Sequence, residues 1–571
     1  MVFTRRWVHE PNLNARGLGM RLDPITVQIL KNKVASLVDE MHYHFYRSGY
    51  STIIRESRDF SCVILDKSGR LIVPPPMFFH APFYKHFVDR TIEIYGEDGL
   101  KDGDVVVSNH PYEAGVPHVS DMAFIAPIFA GGVLVGFSGS CAHKADIGGM
   151  NPGSTSANST EIYHEGLVLP PVKIATQGAY EKDLERLILT NSRQPELVRG
   201  DVRAQIAATQ MGVTRMQYHC ERFGTDTVIG SFAAILKSAA DEMNTAISAL
   251  PDGTATADGY MDDDGVEMDK GVYFAVTIIK KGSDITFDFS NSQPQAKGPI
   301  NLRPSMVEAC VFYSLIGCLG HNMQFNDGMR DVVKFVYAPR TITNAESPAP
   351  VSSYQKANLR LTDVILEALA AFNPTRAIAG SGSSGSLSIN WHEGGRPGHN
   401  TLQYEILGSA YGGGYGNDGC NATATHLSNL HVTPVEIIES EYPCRITEFN
   451  LVTDSGGAGE FRGGVAFRRK YKVLQNCTVV RRYDRFKYPP PGTNGGNPGG
   501  ASKFVIKADT PEETLTPAAG KFELDSGDVF FLESAGGGGY GNPKSRAPER
   551  VAHDVAEGYV SLKAAEEQYG T

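Results

Sequence analysis

The chain has 571 residues, 41% of them hydrophobic and 20% charged, with a formal net charge of −11. That is the composition of a globular protein with room for several domains, not of a disordered or fibrous chain. No basic block offsets the acidity, so nucleic acid and anionic membrane are not expected partners.

The eight cysteines are scattered without a CxxC pair, so they read as reduced thiols of a cytoplasmic protein. The first 20 residues lack an apolar leader core and no apolar run approaches the length of a membrane span, so neither is expected.

In chain order, Asp23 is a helix cap and Pro24 a first helical residue, and the apolar spacing Ile25, Ile29, Leu30, Val34, Leu37, Val38, Met41, Phe45 predicts a helix over 23–47. From Ile53 to Val73 the period changes to two, predicting two strands around a Lys67-Ser-Gly-Arg70 turn. The runs MAFIAPIFA and VLVGFSGSCA flank Gly131-Gly132, the signature of a β-hairpin. Residues 195–248 read as helix in two pieces broken near Gly224, and 251–290 as strands. Helices are expected at about 303–318 and 355–372, then glycine-rich loop and strand to about 533, and a polar helix over about 549–568.

The fold class expected is mixed α/β (α+β): one large interdigitated body. It divides into an extension (1–23), a metal-site and helical region (24–250), a mixed region rich in glycine loops (251–548) and a C-terminal helix (549–571).

The segment running from His118 to Asp121 leads into the hairpin, and Cys141-Ala-His143-Lys-Ala-Asp146 leaves it. A turn at Gly131-Gly132 places Asp121 and His143 at the same open end, where cross-strand Cβ atoms lie about 5 Å apart. A shift of one residue in register decides whether they face the same way. With His118 just upstream and Asp59 arriving from the 53–65 strand, two imidazoles and two carboxylates suit Zn²⁺, Mn²⁺ or Fe²⁺. Asp146 or Glu56 is a candidate to orient a ligand histidine, and Asp146 also a candidate general base. The plain alternative is a solvated hairpin mouth.

No GxxxxGK[ST] phosphate loop occurs. The similar loops Gly408–Gly416 and Gly536–Gly541 read as packing turns rather than anion nests, and GSGSSGS at 380–386 as a structural loop rather than a nucleophile elbow. Arg468-Arg469-Lys470 and Arg481-Arg482 read as solvated strand faces, or else as an intersubunit contact.

Several motifs in order resemble the hydantoinase B/5-oxoprolinase family, over about 24 to 570. They include Arg55-Glu-Ser-Arg-Asp59-Phe-Ser-Cys, His118-Val-Ser-Asp121, Ala142-His143-Lys-Ala-Asp146-Ile-Gly-Gly, Glu165-Gly-Leu, Gly200-Asp-Val-Arg-Ala-Gln205, Pro348-Ala-Pro-Val351 and the final GGGGYGNP. The resemblance implies metal ligands at Asp59, His118, Asp121 and His143. It also implies a hydantoinase A-type partner of the actin-like ATPase superfamily, which holds ATP and Mg²⁺ and phosphorylates the substrate oxygen, in an (AB)₂-type assembly.

The activity it implies is ATP-dependent hydrolysis of a cyclic amide such as a hydantoin, a lactam or 5-oxoproline. A ketone carboxylase of the acetone or acetophenone kind is the alternative. The third reading is that of a non-catalytic scaffold subunit. Where the family often has HxPVHLG, this chain has His80-Ala-Pro-Phe-Tyr84, which keeps the first histidine and loses the second.

Overall fold

The computed structural model describes residues 22–153, 156–320, 323–392, 402–428 and 430–570. The expected extension at 1–23 lies almost wholly outside the described residues. Helix α1 (Pro24–Ser48) begins as expected, its first amides capped by the Asp23 carboxylate.

The architecture is mixed α/β. A six-stranded sheet is built from β1 (Phe60–Asp66), β2 (Val105–Ser108), β3 (Asp121–Ala130), β4 (Val133–His143), β5 (Val172–Thr176) and β6 (Ala179–Tyr180), in the order β1-β4-β3-β2-β5-β6. Helices α2 (Tyr84–Tyr95), α3 (Lys182–Thr190), α4 (Pro195–Phe223) and α5 (Thr225–Ser248) surround it.

Both faces of this sheet are buried, which is why β3 and β4 read as continuous apolar runs rather than alternating ones. Val63, Ala123, Ile125 and Cys141 pack toward Phe83 and Phe87 of the α2 region. Cys62, Met122, Phe124 and Ala142 pack toward α1 and α4.

The strand expected from Ile53 begins only at Phe60. Residues Ile53–Ser57 form a wide helical turn, and Arg58 sits in the left-handed region. Asp201 of α4 fixes the turn's entry by accepting from the amides of Tyr50 and Ser51, and the amide of Asp59 closes it on the Ile53 carbonyl. Local β-branching is overridden here by tertiary contacts.

A second sheet combines β7 (Gly253–Met261), β8 (Val272–Lys281), β9 (Asp284–Asp288) and β10 (Val333–Val336), backed by α6 (Pro304–Leu319) and α7 (Tyr354–Leu369). The C-terminal part stacks two sheets on a shared core. One contains β11 (Gly385–Trp391), β12 (Leu402–Leu407), β15 (Cys477–Arg482) and β18 (Ala519–Leu524). The other contains β13 (Cys444–Leu451), β14 (Phe467–Val473), β16 (Lys503–Ile506), β17 (Thr514–Leu515) and β19 (Val529–Glu533).

The expected C-terminal helix is broken. It runs Pro548–Ala556, stops at Gly558 (φ +74°), and a further turn begins at Leu562.

The glycine loops are packing elements, as expected; the first ends in a tight turn over 414–417 with Gly416 at φ +85°, whereas the second is not a turn over 536–539. Gly536, Gly537, Gly538 and Gly539 form an extended rod with φ outside the left-handed region. Their amides donate in succession to Gly500, Gly464, Gly380 and Asn497. Successive donors therefore point to different neighbours, and the segment carrying Gly500 and Asn497 returns after three residues, the period of a polyproline-II helix. A Cβ on Gly537 would lie 1.9 Å from the Tyr411 carbonyl oxygen, and one on Gly538 2.0 Å from that of Pro491. The two similar glycine segments are themselves neighbours, with the amide of Gly413 donating to the Gly538 carbonyl.

Candidate metal centre

The hairpin forms around Gly131 (φ +59°) and Gly132 (φ +80°), and its register carries one irregularity. Near the turn Ala130 pairs with Val133 and Phe129 with Leu134, but Ile128 pairs with Gly136, which leaves Val135 as an extra residue in a bulge. From there the ladder runs to Asp121 opposite His143. Without the bulge Asp121 would face Ala142, so this one residue settles the register that the sequence left open.

On the other side of β4, Phe60 pairs with Ala142, and the amide of His143 donates to the Asp59 carbonyl at 3.2 Å. Asp59, His143 and Asp121 thus stand in a row across the end of three adjacent strands, and His118 comes in from the loop before β3.

All four are buried. His118 Nε2 lies 3.2 Å from Asp121 Oδ1 and 3.2 Å from His143 Nδ1, and His143 Nδ1 lies 3.5 Å from the same Oδ1. Donors bound to one cation at about 2.1 Å would be separated by about 3.0 Å in octahedral and about 3.4 Å in tetrahedral geometry, so this triangle has the right size. Asp59 lines the same small cavity, but its carboxylate does not come within 4.8 Å of all three other donors.

Asp121 is electrostatically paired with the histidines around it. Burial works against the Asp121 charge, but the surrounding histidines outweigh it and hold the carboxyl well below the usual range. Burial likewise opposes the His118 cation, yet the adjacent Asp121 carboxylate lifts its pKa. Burial lowers His143 and raises Asp59. Outside the triangle, Asp121 Oδ2 lies 3.5 Å from His80 Nε2, and His143 Nε2 is buried without a hydrogen bond to the described residues.

The surroundings orient the donors. His118 Nδ1 meets the Ser352 carbonyl at 3.0 Å, which in the neutral ring directs the Nε2 lone pair into the triangle. Tyr404 stacks on His143 with centroids 5.0 Å apart, and Tyr354 packs edge-on to His118. Arg482 donates to the Ser352 carbonyl and to the Ser353 and Ser386 hydroxyls. Glu165 Oε1 accepts from the amides of Val351 and Ser352, and burial pushes this carboxyl up to about 7.

Sequence reasoning gave none of Glu165, Ser352, Tyr404 or Arg482 a role. Glu165 and Val351 lie within motifs that carry the family resemblance, which was the available signal. Arg469, Arg481 and Arg482 are buried, so the solvated-face reading is corrected for them, while Arg468 and Lys470 stay partly exposed. Arg469 pairs with Glu405, and Arg481 sits among Phe486, Phe504 and Phe522.

Asp146 is not placed to act as a base. Its oxygens accept from the amides of Gly148, Gly153 and Arg193 and from the Arg193 guanidinium, so it ties together the loop after β4. Glu56 lies 3.9 Å from Arg55 and remains partly exposed rather than backing a histidine. Tyr84 bonds Ser61 in the core, whereas His80 reaches the site, its Nε2 3.5 Å from Asp121 Oδ2. His80, Asp121 and Cys141 also form a compact buried donor group, which shares Asp121 with the triangle; burial pushes the Cys141 thiol well up.

Fold and site together define a mixed α/β protein with a buried His/Asp centre suited to a divalent cation. Residues 23–543 match the family model described as hydantoinase B/oxoprolinase, and the chain belongs to that family. It is 32% identical over 571 residues to the B-type subunit of a putative D-/L-hydantoinase from Pseudomonas sp. (strain NS671), covering 96% of this chain and 95% of that one.

Among solved structures, the ATP-dependent caprolactamase from Pseudomonas jessenii matches with a TM-score of 0.88 at 25% identity, covering 96% of each chain. A nucleotide-free acetone carboxylase shares the fold, with a TM-score of 0.87 at 18% identity, covering 96% of this chain and 79% of that one. Among the described residues, no helix is long and apolar enough to cross a membrane.

Proposed function

We propose that this chain is the B-type subunit of an ATP-dependent hydrolase of cyclic amides, working with a hydantoinase A-type ATPase. The observation that carries this is the buried triangle of His118 Nε2, Asp121 Oδ1 and His143 Nδ1, 3.2–3.5 Å apart, in a chain that matches a hydantoinase component along nearly its whole length.

An unstrained amide resists water, and phosphorylation of its oxygen by the partner converts that oxygen into a leaving group. His118, Asp121 and His143 would hold a divalent cation, with Asp59 as the fourth group. When bound there, the cation supplies Lewis acidity toward a substrate oxygen or a water. The chain's own residues prepare the site. The Ser352 carbonyl fixes the His118 tautomer, and Tyr404 fixes the plane of His143. The depressed Asp121 pKa keeps that carboxylate ionised. The Phe79 and Tyr354 rings wall the cavity against bulk water.

Elemental analysis of the purified chain, followed by ATP-dependent ring-opening assays with an A-type subunit, tests this. About one Zn, Mn or Fe per chain is expected, lost in His143→Ala and Asp121→Ala, with lactam opening independent of bicarbonate. Bicarbonate-dependent consumption of a ketone would establish the carboxylase instead. A chain that takes up none of these metals would leave a scaffold role.

A further inference from the structure

A cavity of about 710 Å³ lies apart from the candidate metal cavity and shares no lining residue with it. Its walls include Pro74, Phe78, Ile316, Phe325 and Ile378, with Tyr313 and Tyr411 among the lining residues. Its size is that of a small-molecule site, and its composition, apolar walls with a few placed polar groups, is also typical of one.

The polar groups are organised from behind. Tyr411 Oη accepts from the His426 amide at 2.7 Å and lies 3.2 Å from Tyr313 Oη. His426 is held in the left-handed region (φ +51°), and its Nε2 is fixed by Asp363 at 2.9 Å. Asp363 is gripped in turn by Arg485. Two hydroxyl protons share one mutual bond, and the remaining acceptor position on Tyr411 is taken by an amide. One hydroxyl proton therefore remains to be donated to whatever occupies the cavity. Burial keeps Tyr313 protonated, with its pKa well above the ordinary value.

The charges in the lining do not favour an anion deep in the cavity. Asp418 is tied to both terminal nitrogens of Arg546, and Arg376 is an exposed residue. The single turn Phe78–His80 also touches both cavities. Phe78 lines the large one, Phe79 lines the metal cavity, and His80 lies against Asp121.

We propose that the large cavity binds a neutral molecule with an apolar body and one hydrogen-bond-accepting carbonyl, which receives a hydrogen bond from the Tyr313–Tyr411 pair. Its role as the substrate site, next to the metal centre, rests on the cyclic-amide reading above. The binding itself does not, and the substrates singled out are hydrophobic, uncharged lactams or hydantoins rather than carboxylated ones.

The chain carries its own reporter. Cys420 lines this cavity and is exposed, while the other seven cysteines are buried. The test uses the full chain without ATP or an ATPase subunit, and measures alkylation of Cys420 by N-ethylmaleimide against a phenyl-substituted δ-lactam. The carboxylated analogue and the carbonyl-free ring serve as comparisons, and Cys420→Ser as the labelling control.

The lactam should slow alkylation in a saturable way, more tightly than either comparison compound. Replacing both tyrosines, Tyr313→Phe with Tyr411→Phe, should weaken it about tenfold, because either hydroxyl alone keeps a proton to donate. Gly317→Leu should abolish it while leaving the fold intact, because a Cβ at Gly317 meets nothing within 4 Å and leucine favours a helix.

Equal protection in Gly317→Leu, no protection in the wild type, or tighter binding of the carboxylated analogue would overturn the proposal. Lactam binding that depends on the Tyr313–Tyr411 pair, with no ATP-dependent ring opening beside an A-type subunit, would sink the proposed function and leave this site standing. Ring opening unaltered by Gly317→Leu would do the reverse.

Discussion

The candidate metal end of the six-stranded sheet and the glycine bundle both draw distant segments together, and they do so by opposite means. At the sheet end, strand pairing sets Asp59, His143 and Asp121 in a row, and the identity of each side chain decides what the place can do. In the bundle the backbones approach until no β-carbon fits, and specificity comes from amides and carbonyls alone. A change at the first should remove chemistry and spare the fold. A change at the second should remove the fold before any chemistry can be measured.

The strongest way to break this contrast is Gly537→Ala. A methyl group 1.9 Å from the Tyr411 oxygen cannot be accommodated by a rotamer change, because its neighbour is backbone. A loss of about 4–5 kcal/mol or more is expected, seen as insoluble protein or a collapsed denaturation midpoint. Gly537→Ala protein with wild-type stability would mean that the rod is not close-packed. Next comes His143→Ala, expected to lose the bound metal and at least about a hundredfold in activity while its circular dichroism is unchanged; a large unfolding shift would show the site to be structural first.

The contrast is sharpened one layer further out. Glu165→Ala removes the acceptor that holds the Val351 and Ser352 amides and hence the carbonyl that orients His118. Chelator competition should show metal affinity about 10–100-fold weaker, and Glu165→Gln, which keeps an acceptor, should recover much of it. An unchanged affinity in the alanine variant would detach this carboxylate from the centre. The smallest effect expected is at Gly131, also a glycine with positive φ, but one whose β-carbon would meet open space. Gly131→Ala should cost about 1 kcal/mol in urea denaturation, a strain of conformation without the strain of contact.

The four proposed ligands were legible in the sequence because a hairpin with a Gly-Gly turn brings fixed positions together, and because the motifs around them resemble a family. The register was not legible, since it depends on the bulge at Val135, a feature no local pattern announces. Asp59 stood out as a residue, but not its route, since the turn at 53–57 is imposed by Asp201 some 150 positions away. Arg482 was misread for a similar reason. An arginine on an alternating strand looks solvated until the loop bearing Ser352 and Ser353 covers it. Asp146 was a candidate to orient a ligand histidine or to act as a base, and the structure commits its oxygens to a loop instead. Helix α1 and the break at Gly224 were readable because capping and periodicity are local properties.

The rod at Gly536–Gly539 has a consequence at the level of codons. Any change in the first two bases of a glycine codon introduces a side chain or a stop, and at these positions even the smallest side chain overlaps a carbonyl. Such a stretch can drift only through silent third-base changes. Among related sequences, invariance there would record the absence of space rather than participation in a reaction, and should be discounted when conserved positions are searched for active-site residues.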